Sequence, residues 1–198
     1  DMQEAVGRVE IAFSLVAVKD EPGRWSVQPV ASSPLVVFFP TVVQTNLGFL
    51  VQGPYRTTPS RDNIPRGEPW NQHLVKETAS LLVEAMRWMR DNAMLDTSTL
   101  RCLPLDREKF PAGAMFKPIF DSVRQALWSE PLLPRFDGGF VPASQAKLAR
   151  TQELRDLLSP EQIEAVFGAK ASAWLTGVIT PDRQPEIRSY LMQELNVA

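Results

Sequence analysis

The pattern of apolar and polar positions in the first third of the chain predicts four β-strands. Their apolar or β-branched runs are Val9 to Val18, Trp25 to Val30, Leu35 to Phe39 and Phe49 to Gln52. Leu35 to Phe39 is an unbroken apolar run, so we expect it to be buried on both faces and to end at Pro40. Thr41 to Gly48 then reads as a loop, and Gly53-Pro54 ends the fourth strand.

A long amphipathic helix is predicted from Pro69 to about Met94. Pro69 suits the first turn, where a missing amide donor leaves no helical hydrogen bond unmade. The residues expected on the buried face recur at spacings of three and four, and they are Leu74, Thr78, Leu81, Leu82, Ala85 and Met89.

Beyond residue 95 the pattern favours short helices. A hairpin is expected over Leu132 to Val141, around Asp137-Gly138. Ser159, Pro160 and Gln162 form a complete helix start signal, and Gly168 is a good stop. The predicted helices are Phe116 to Trp128, Ser144 to about Arg150, Thr151 to Leu158, Pro160 to Phe167 and Pro185 to Leu195.

These elements predict an α+β fold, a mixed four-stranded sheet backed by the long helix and followed by a mostly helical C-terminal region. We divide the chain into an α/β unit over residues 1–95 and a mostly helical unit over residues 96–198. The 17 prolines fall mainly at predicted element boundaries, which favours many short elements with fixed joints.

Composition excludes several classes of function. The net charge of −2 gives no reason to expect nucleic acid or an anionic membrane as partner. No apolar run approaches a membrane span, and no signal peptide is apparent. A single cysteine, Cys102, and a single histidine, His73, argue against a disulfide, a thiolate cluster and a multi-histidine metal site. We therefore expect no metal site and a cytoplasmic setting.

The candidate chemistry lies in the loop between the fourth strand and the long helix. Two arginines, Arg56 and Arg61, stand there among hydroxyl and amide side chains. A rigid strand end, arginines and a following helix start are the parts that grip an anion such as phosphate. The loop residues expected to contact phosphate are Arg56, Thr58, Ser60, Arg61 and Asn63.

The stretch Gly53 to Pro65, GPYRTTPSRDNIP, resembles a segment of sacsin-like proteins and, less closely, the middle segment of the ninety-kilodalton heat-shock chaperones. The resemblance covers Leu35 to about Leu82. In that family an arginine of this loop contacts the terminal phosphate of ATP in the adjacent nucleotide-binding domain, and Arg61 would take that catalytic role here. The chaperones have asparagine, glutamate and glutamine where this chain has Thr58, Asp62 and Pro65.

The resemblance implies a segment that couples to an ATPase without holding the nucleotide itself. In the family a nucleotide-binding domain binds ATP and Mg²⁺ with a catalytic Glu and a metal-binding Asn on one helix, followed by an Asp-x-Gly-x-Gly turn. The candidate turn in this chain, Asp137-Gly138-Gly139, lacks that spacing. We expect no cofactor on this chain, an adjacent ATPase domain as partner, and a protein client or a second copy of the chain as further partners.

Structural roles compete with this interpretation. Arg61 could cap a helix or pair with Asp62 or Glu68, and Arg56 has less positional support than Arg61 for a functional role. The rival function is an interaction module that keeps the fold without nucleotide coupling. A stand-alone enzyme is a weaker third candidate, because the nucleophile, metal and glycine-rich motifs are missing.

Overall fold

The computed structural model describes residues 8–19, 21–60, 63–168 and 172–198, and the fold is α+β as expected. The strands are β1 (Glu10–Ala12), β2 (Ser14–Ala17), β3 (Trp25–Gln28), β4 (Pro34–Val37), β5 (Phe39–Gln44), β6 (Leu50–Gln52), β7 (Leu133–Pro134), β8 (Phe140–Val141), β9 (Ala146–Lys147) and β10 (Ala173–Trp174). The helices are α1 (Pro69–Asp91), α2 (Thr97–Leu100), α3 (Lys117–Ser129), α4 (Gln152–Leu157), α5 (Pro160–Phe167) and α6 (Pro185–Gln193), with a 3-10 turn at Arg107–Lys109.

The predicted mixed sheet of four strands is confirmed, in the order β1-β6-β4-β5. The β1–β6 and β4–β5 pairs are antiparallel, whereas β4 and β6 are parallel. The strand predicted from Trp25 is not part of this sheet, because β3 pairs instead with β2 in a separate antiparallel ribbon. The predicted first strand therefore divides at Phe13 into β1 and β2, which serve two different sheets.

The prediction that Leu35 to Phe39 is buried on both faces is wrong. Leu35 is fully buried, but Phe38 is 87% exposed and Phe39 is 74% exposed. Phe38 has a φ of 63° and reverses the chain, so the apolar run supplies two antiparallel strands, β4 and β5. Pro40 does not end the strand, because it lies within β5, an edge strand of the sheet. The loop predicted from Thr41 is therefore wrong as far as Gln44, where β5 ends.

Helix α1 packs its apolar face into the main hydrophobic core, as predicted. Of the six predicted positions, Leu74, Thr78, Leu82 and Met89 are buried, whereas Leu81 and Ala85 are only half-buried. The same core contains side chains of the sheet and of α3, so it includes residues on both sides of residue 95. The proposed division of the chain at residue 95 stays a prediction. Within the described ranges, no helix has the length and hydrophobicity needed to cross a membrane.

The loop after β5 approaches the helical region closely at Gly48. Its amide donates to the carbonyl oxygen of Cys102 at 2.9 Å. A Cβ at Gly48 would lie 2.5 Å from the Cα of Cys102, closer than any side chain tolerates. This contact requires glycine and fixes the sheet against the turn that follows α2.

The C-terminal region confirms the predicted hairpin, β7 and β8, and the capping box of α5. Gly168 ends α5 in the left-handed region, with a φ of 64°. The helix predicted from Ser144 is wrong, because Ala146–Lys147 forms β9 and pairs in parallel with β10. A partner strand distant in sequence outweighs the local helical signal there.

Candidate functional site

The predicted anion loop leaves the sheet at the end of β6, an interior strand, and runs to the start of α1. The amide of Gly53 donates to the carbonyl oxygen of Val36 at 3.1 Å, so β6 and β4 are still bonded where the loop begins. A Cβ at Gly53 would come 3.0 Å from the ring of Tyr55, which leaves little room for a side chain. The loop therefore starts from a tightly packed position.

Two aromatic residues fix the first part of the loop. Tyr55 is buried, and its hydroxyl lies 3.3 Å from Oγ1 of Thr78 on α1. Burial raises the pKa of Tyr55, against an opposing effect of the hydrogen bond with Thr78. Nε1 of Trp70 donates to the carbonyl oxygen of Pro54 at 2.9 Å. The chain immediately before Arg56 is thus attached to α1 at Trp70 and Thr78.

Asn71 joins the two ends of the loop. Its side chain is fully buried, and its Oδ1 accepts from the amide of Arg56 at 2.7 Å. Its Nδ2 donates to the carbonyl oxygens of Arg56 at 2.9 Å and Pro65 at 3.1 Å. We call this set of three bonds the Asn71 clamp. A single side chain from α1 thereby fixes the width of the loop base.

Glu68 links the helix start to Arg56. Its Oε2 accepts from the amide of Asn71 at 3.0 Å, which caps α1, and its Oε1 accepts from Nη1 of Arg56 at 2.6 Å. Burial acts to raise the pKa of Glu68, but the Asn71 amide and the Arg56 guanidinium outweigh it, so the pKa is lowered. Arg56 also lies 6.0 Å from the centroid of the Trp70 ring.

The part of the loop between Thr58 and Asn63 closes on itself. The amide of Thr58 donates to the carbonyl oxygen of Asn63 at 2.9 Å, and the amide of Asn63 donates to Oγ1 of Thr58 at 3.2 Å. Ser60 donates to Oγ1 of Thr58 at 3.4 Å, and Oδ1 of Asn63 accepts from the amide of Ile64 at 2.8 Å. Residues 58 and 63 are therefore held together by hydrogen bonds.

Four of the five predicted phosphate-contacting residues fall within the described ranges. Arg56, Ser60 and Asn63 are exposed and Thr58 is half-buried, and all four belong to one loop on the surface. The fifth, Arg61, and its neighbour Asp62 lie outside the described residues. Arg56 is paired with Glu68 in an exposed contact, which contributes little to stability, so a phosphate could compete for it.

Sequence reasoning missed the residues that hold the loop. In the sequence Asn71 and Trp70 are simply positions of the predicted helix α1, although a polar residue on the buried face of a helix indicates that its side chain has a hydrogen-bond partner. Glu68 precedes the proline at the first helical position, where a capping residue is expected. Among the described residues, no group of three or more potential metal ligands occurs.

Comparison with known proteins gives one limited likeness. The Protein NO VEIN of Arabidopsis thaliana is 32% identical to this chain over 79 residues. The matched stretch is 40% of this chain but 3% of that protein, so the chain spans a small part of its relative. No protein-family model and no solved structure match the chain. The likeness does not assign the chain to a family.

Proposed function

We propose that this chain is the coupling segment of a chaperone-like ATPase of the sacsin-like type. Arg61 would supply its guanidinium to the terminal phosphate of ATP held by an adjacent nucleotide-binding domain. The resemblance of Gly53 to Pro65 to that family motivates the proposal. ATP and Mg²⁺ belong to the adjacent domain, and this chain contributes only the loop.

The observation that carries the proposal is the closure of the loop at Thr58 and Asn63, on either side of Arg61. A side chain that acts on a phosphate in another domain must be held in place by its own domain. The Asn71 clamp supports the proposal, because it ties the loop base at Arg56 and Pro65 to α1 through three hydrogen bonds.

The chemistry of the exposed loop residues suits a phosphate. Arg56 keeps 66% of its side chain exposed, and a guanidinium matches phosphate oxygens with two parallel donors. Its pairing with Glu68 places a carboxylate beside it, so Arg56 has a structural role in the isolated chain. Arg61 is therefore the residue to which we assign the catalytic contact.

The test uses the parent protein, by which we mean the polypeptide or complex that carries both this chain and its nucleotide-binding domain. We expect Arg61→Ala to lower kcat by at least about tenfold while the Kd for ATP changes little, because the contact is made in the transition state. Arg61→Lys should be almost as damaging, since an ammonium cannot form the bidentate contact.

Arg66→Ala is the matched control, an exposed arginine of the same loop outside the closed part. It should leave kcat within about twofold of the unmodified protein, as surface substitutions usually do. Unchanged turnover in both Arg61 variants would remove the coupling function. The chain would then be an interaction module for a protein client or a second copy of itself.

A further inference from the structure

A cavity of about 680 Å³ lies between one face of α6 and the loops that precede β4 and follow β5. Its volume falls within the range of roughly 300–1,000 Å³ that small-molecule sites occupy. The side chains of the α6 wall are polar and recur along one face of the helix at Glu186, Ser189, Gln193 and Glu194. No described residue of the anion loop lines this cavity, so it is a separate feature of the chain.

Hydrogen bonds within the chain hold the loop wall of the cavity in place. Oε1 of Gln44 accepts from Oγ of Ser32 and from the amide of Ser33, both at 3.3 Å. This orients the side-chain amide of Gln44, whose Nε2 donates to no described residue. The amide of Val30 donates to the carbonyl oxygen of Gly48 at 3.0 Å, and Gly48 is itself bonded to Cys102. The cavity is therefore preformed, as ligand sites usually are.

Tyr190, on α6, lines the cavity with a hydroxyl group that has no partner among the described residues. The residue is 3% exposed, and its ring packs edge-on against Phe120, with 6.2 Å between the ring centroids. Burial raises the pKa of Tyr190, so the hydroxyl keeps its proton and is a donor at neutral pH. A buried hydroxyl without a hydrogen bond is unfavourable, which suggests that a ligand supplies the missing partner.

Glu194 brings unused acceptor positions to the same cavity. Its side chain is 13% exposed, and its carboxylate lies 3.6 Å from Arg107 and 3.8 Å from Arg124. Both distances are longer than a hydrogen bond, so the two guanidinium groups balance the charge of the carboxylate without occupying its acceptor sites. A donor group of a ligand can therefore bind there.

The charges around the cavity disfavour a strongly ionic ligand. Four acidic and three basic side chains line it, and Lys109 pairs with Asp106 at 3.6 Å. A phosphate or carboxylate ligand would be repelled by the acidic side chains, and a cation would leave the donors of Tyr190 and Gln44 unused. Hydroxyl groups donate and accept at once, so they match a wall that offers both kinds of partner.

We propose that this cavity binds a neutral, hydroxyl-rich small molecule, a sugar or polyol no larger than a disaccharide. One hydroxyl of the ligand accepts from Tyr190, and another donates to Glu194. The amides of Gln44 and Gln193 bind further hydroxyls from the two walls. The proposal does not depend on the coupling function, because it involves neither the anion loop nor a nucleotide.

A titration followed by nuclear magnetic resonance tests the site on the 198-residue chain. The probes are maltose, cellobiose and myo-inositol, with inorganic phosphate and tetraglycine as an anionic and a zwitterionic comparison. At least one of the three polyols should bind saturably and shift the amides of residues 44–48, 105–110 and 186–194. Absence of saturable binding by all three polyols, or tighter binding of phosphate or tetraglycine, would overturn the proposal.

Tyr190→Phe removes the unpaired hydroxyl and nothing else. It should raise the Kd for the bound polyol by about threefold to tenfold, the effect of one hydrogen bond. It should not lower the Tm, because the hydroxyl has no partner in the described part of the free chain. An unchanged Kd together with a lower Tm would assign the hydroxyl to folding and overturn its role in binding.

Filling the cavity supplies the second variant. Ser189 is an exposed residue of the α6 wall, and Ser189→Trp should abolish polyol binding by occupying the cavity. Met192→Trp is the matched control, since Met192 is 49% exposed on the same helix and does not line the cavity. It should leave the Kd unchanged. Equal polyol binding in both tryptophan variants would place the ligand elsewhere and refute the site.

Discussion

Replacing Asn71 by alanine should loosen the anion loop and destabilise the whole chain. The substitution removes bonds of 2.7, 2.9 and 3.1 Å and leaves the amide of Arg56 and the carbonyl oxygens of Arg56 and Pro65 without their partner. Each stranded group costs about 1–3 kcal/mol when buried. Because the loop is partly exposed and water can replace some bonds, we expect a total loss of about 2–4 kcal/mol.

Urea unfolding followed by circular dichroism measures this loss directly. The same loss should lower the Tm by roughly 5–15 °C for a chain of this size. Hydrogen exchange should accelerate first in residues 53–68, where the clamp acts, before the rest of α1 is affected.

Gln72→Ala is the matched control, because Gln72 is the neighbouring amide residue and makes one exposed bond, of 3.2 Å, to the carbonyl oxygen of Arg66. It should change the free energy of unfolding by less than about 0.5 kcal/mol. If Asn71→Ala were as mild as this control, the clamp would not position the loop, and the structural support for the proposed function would fail.

Three further predictions follow from single contacts. Gly48→Ala should destabilise the protein in urea by about 3 kcal/mol or more, since its Cβ meets the backbone of Cys102, whereas Gly67→Ala, with open space around it, should be tolerated. Burial raises the pKa of Cys102 to about 12, so Ellman's reagent at pH 8 should label it only as fast as the protein unfolds; rapid labelling would contradict its burial. The pKa of Glu68 is lowered in the folded protein, so its ionised carboxylate stabilises the fold at pH values above the ordinary pKa of a glutamate. The loss of stability caused by Glu68→Gln should therefore be largest near neutral pH and should shrink as the pH falls through the lowered pKa. A loss that is the same at every pH in urea titrations would rule this out.

The sequence predicts an element correctly where the residues that determine its structure lie within that element. The capping box at Ser159 and Gln162 and most of the buried face of α1 depend on residues a few positions apart, and the sequence predicts both. The hairpin of β7 and β8 was also predicted, since glycine occupies its turn. In each case the information lies within the element itself.

Prediction failed where distant contacts decide the structure. No glycine, asparagine or aspartate occurs at the turn at Phe38, so the sequence predicts a single strand where the structure has β4 and β5. Ala146–Lys147 becomes a strand only because β10 lies beside it. In the candidate site the anion loop was recognised from its residues, but Asn71 was not, because its role depends on the loop folding back onto α1.

The rate of ATP hydrolysis in a single turnover of the parent protein tests the central claim most directly. With ATP and Mg²⁺ bound before the reaction begins, this rate reports the chemical step and excludes nucleotide binding and product release. The account predicts that Arg61→Ala lowers the rate by at least about tenfold, with Arg66→Ala close to the unmodified protein. Equal rates in all three proteins would contradict it.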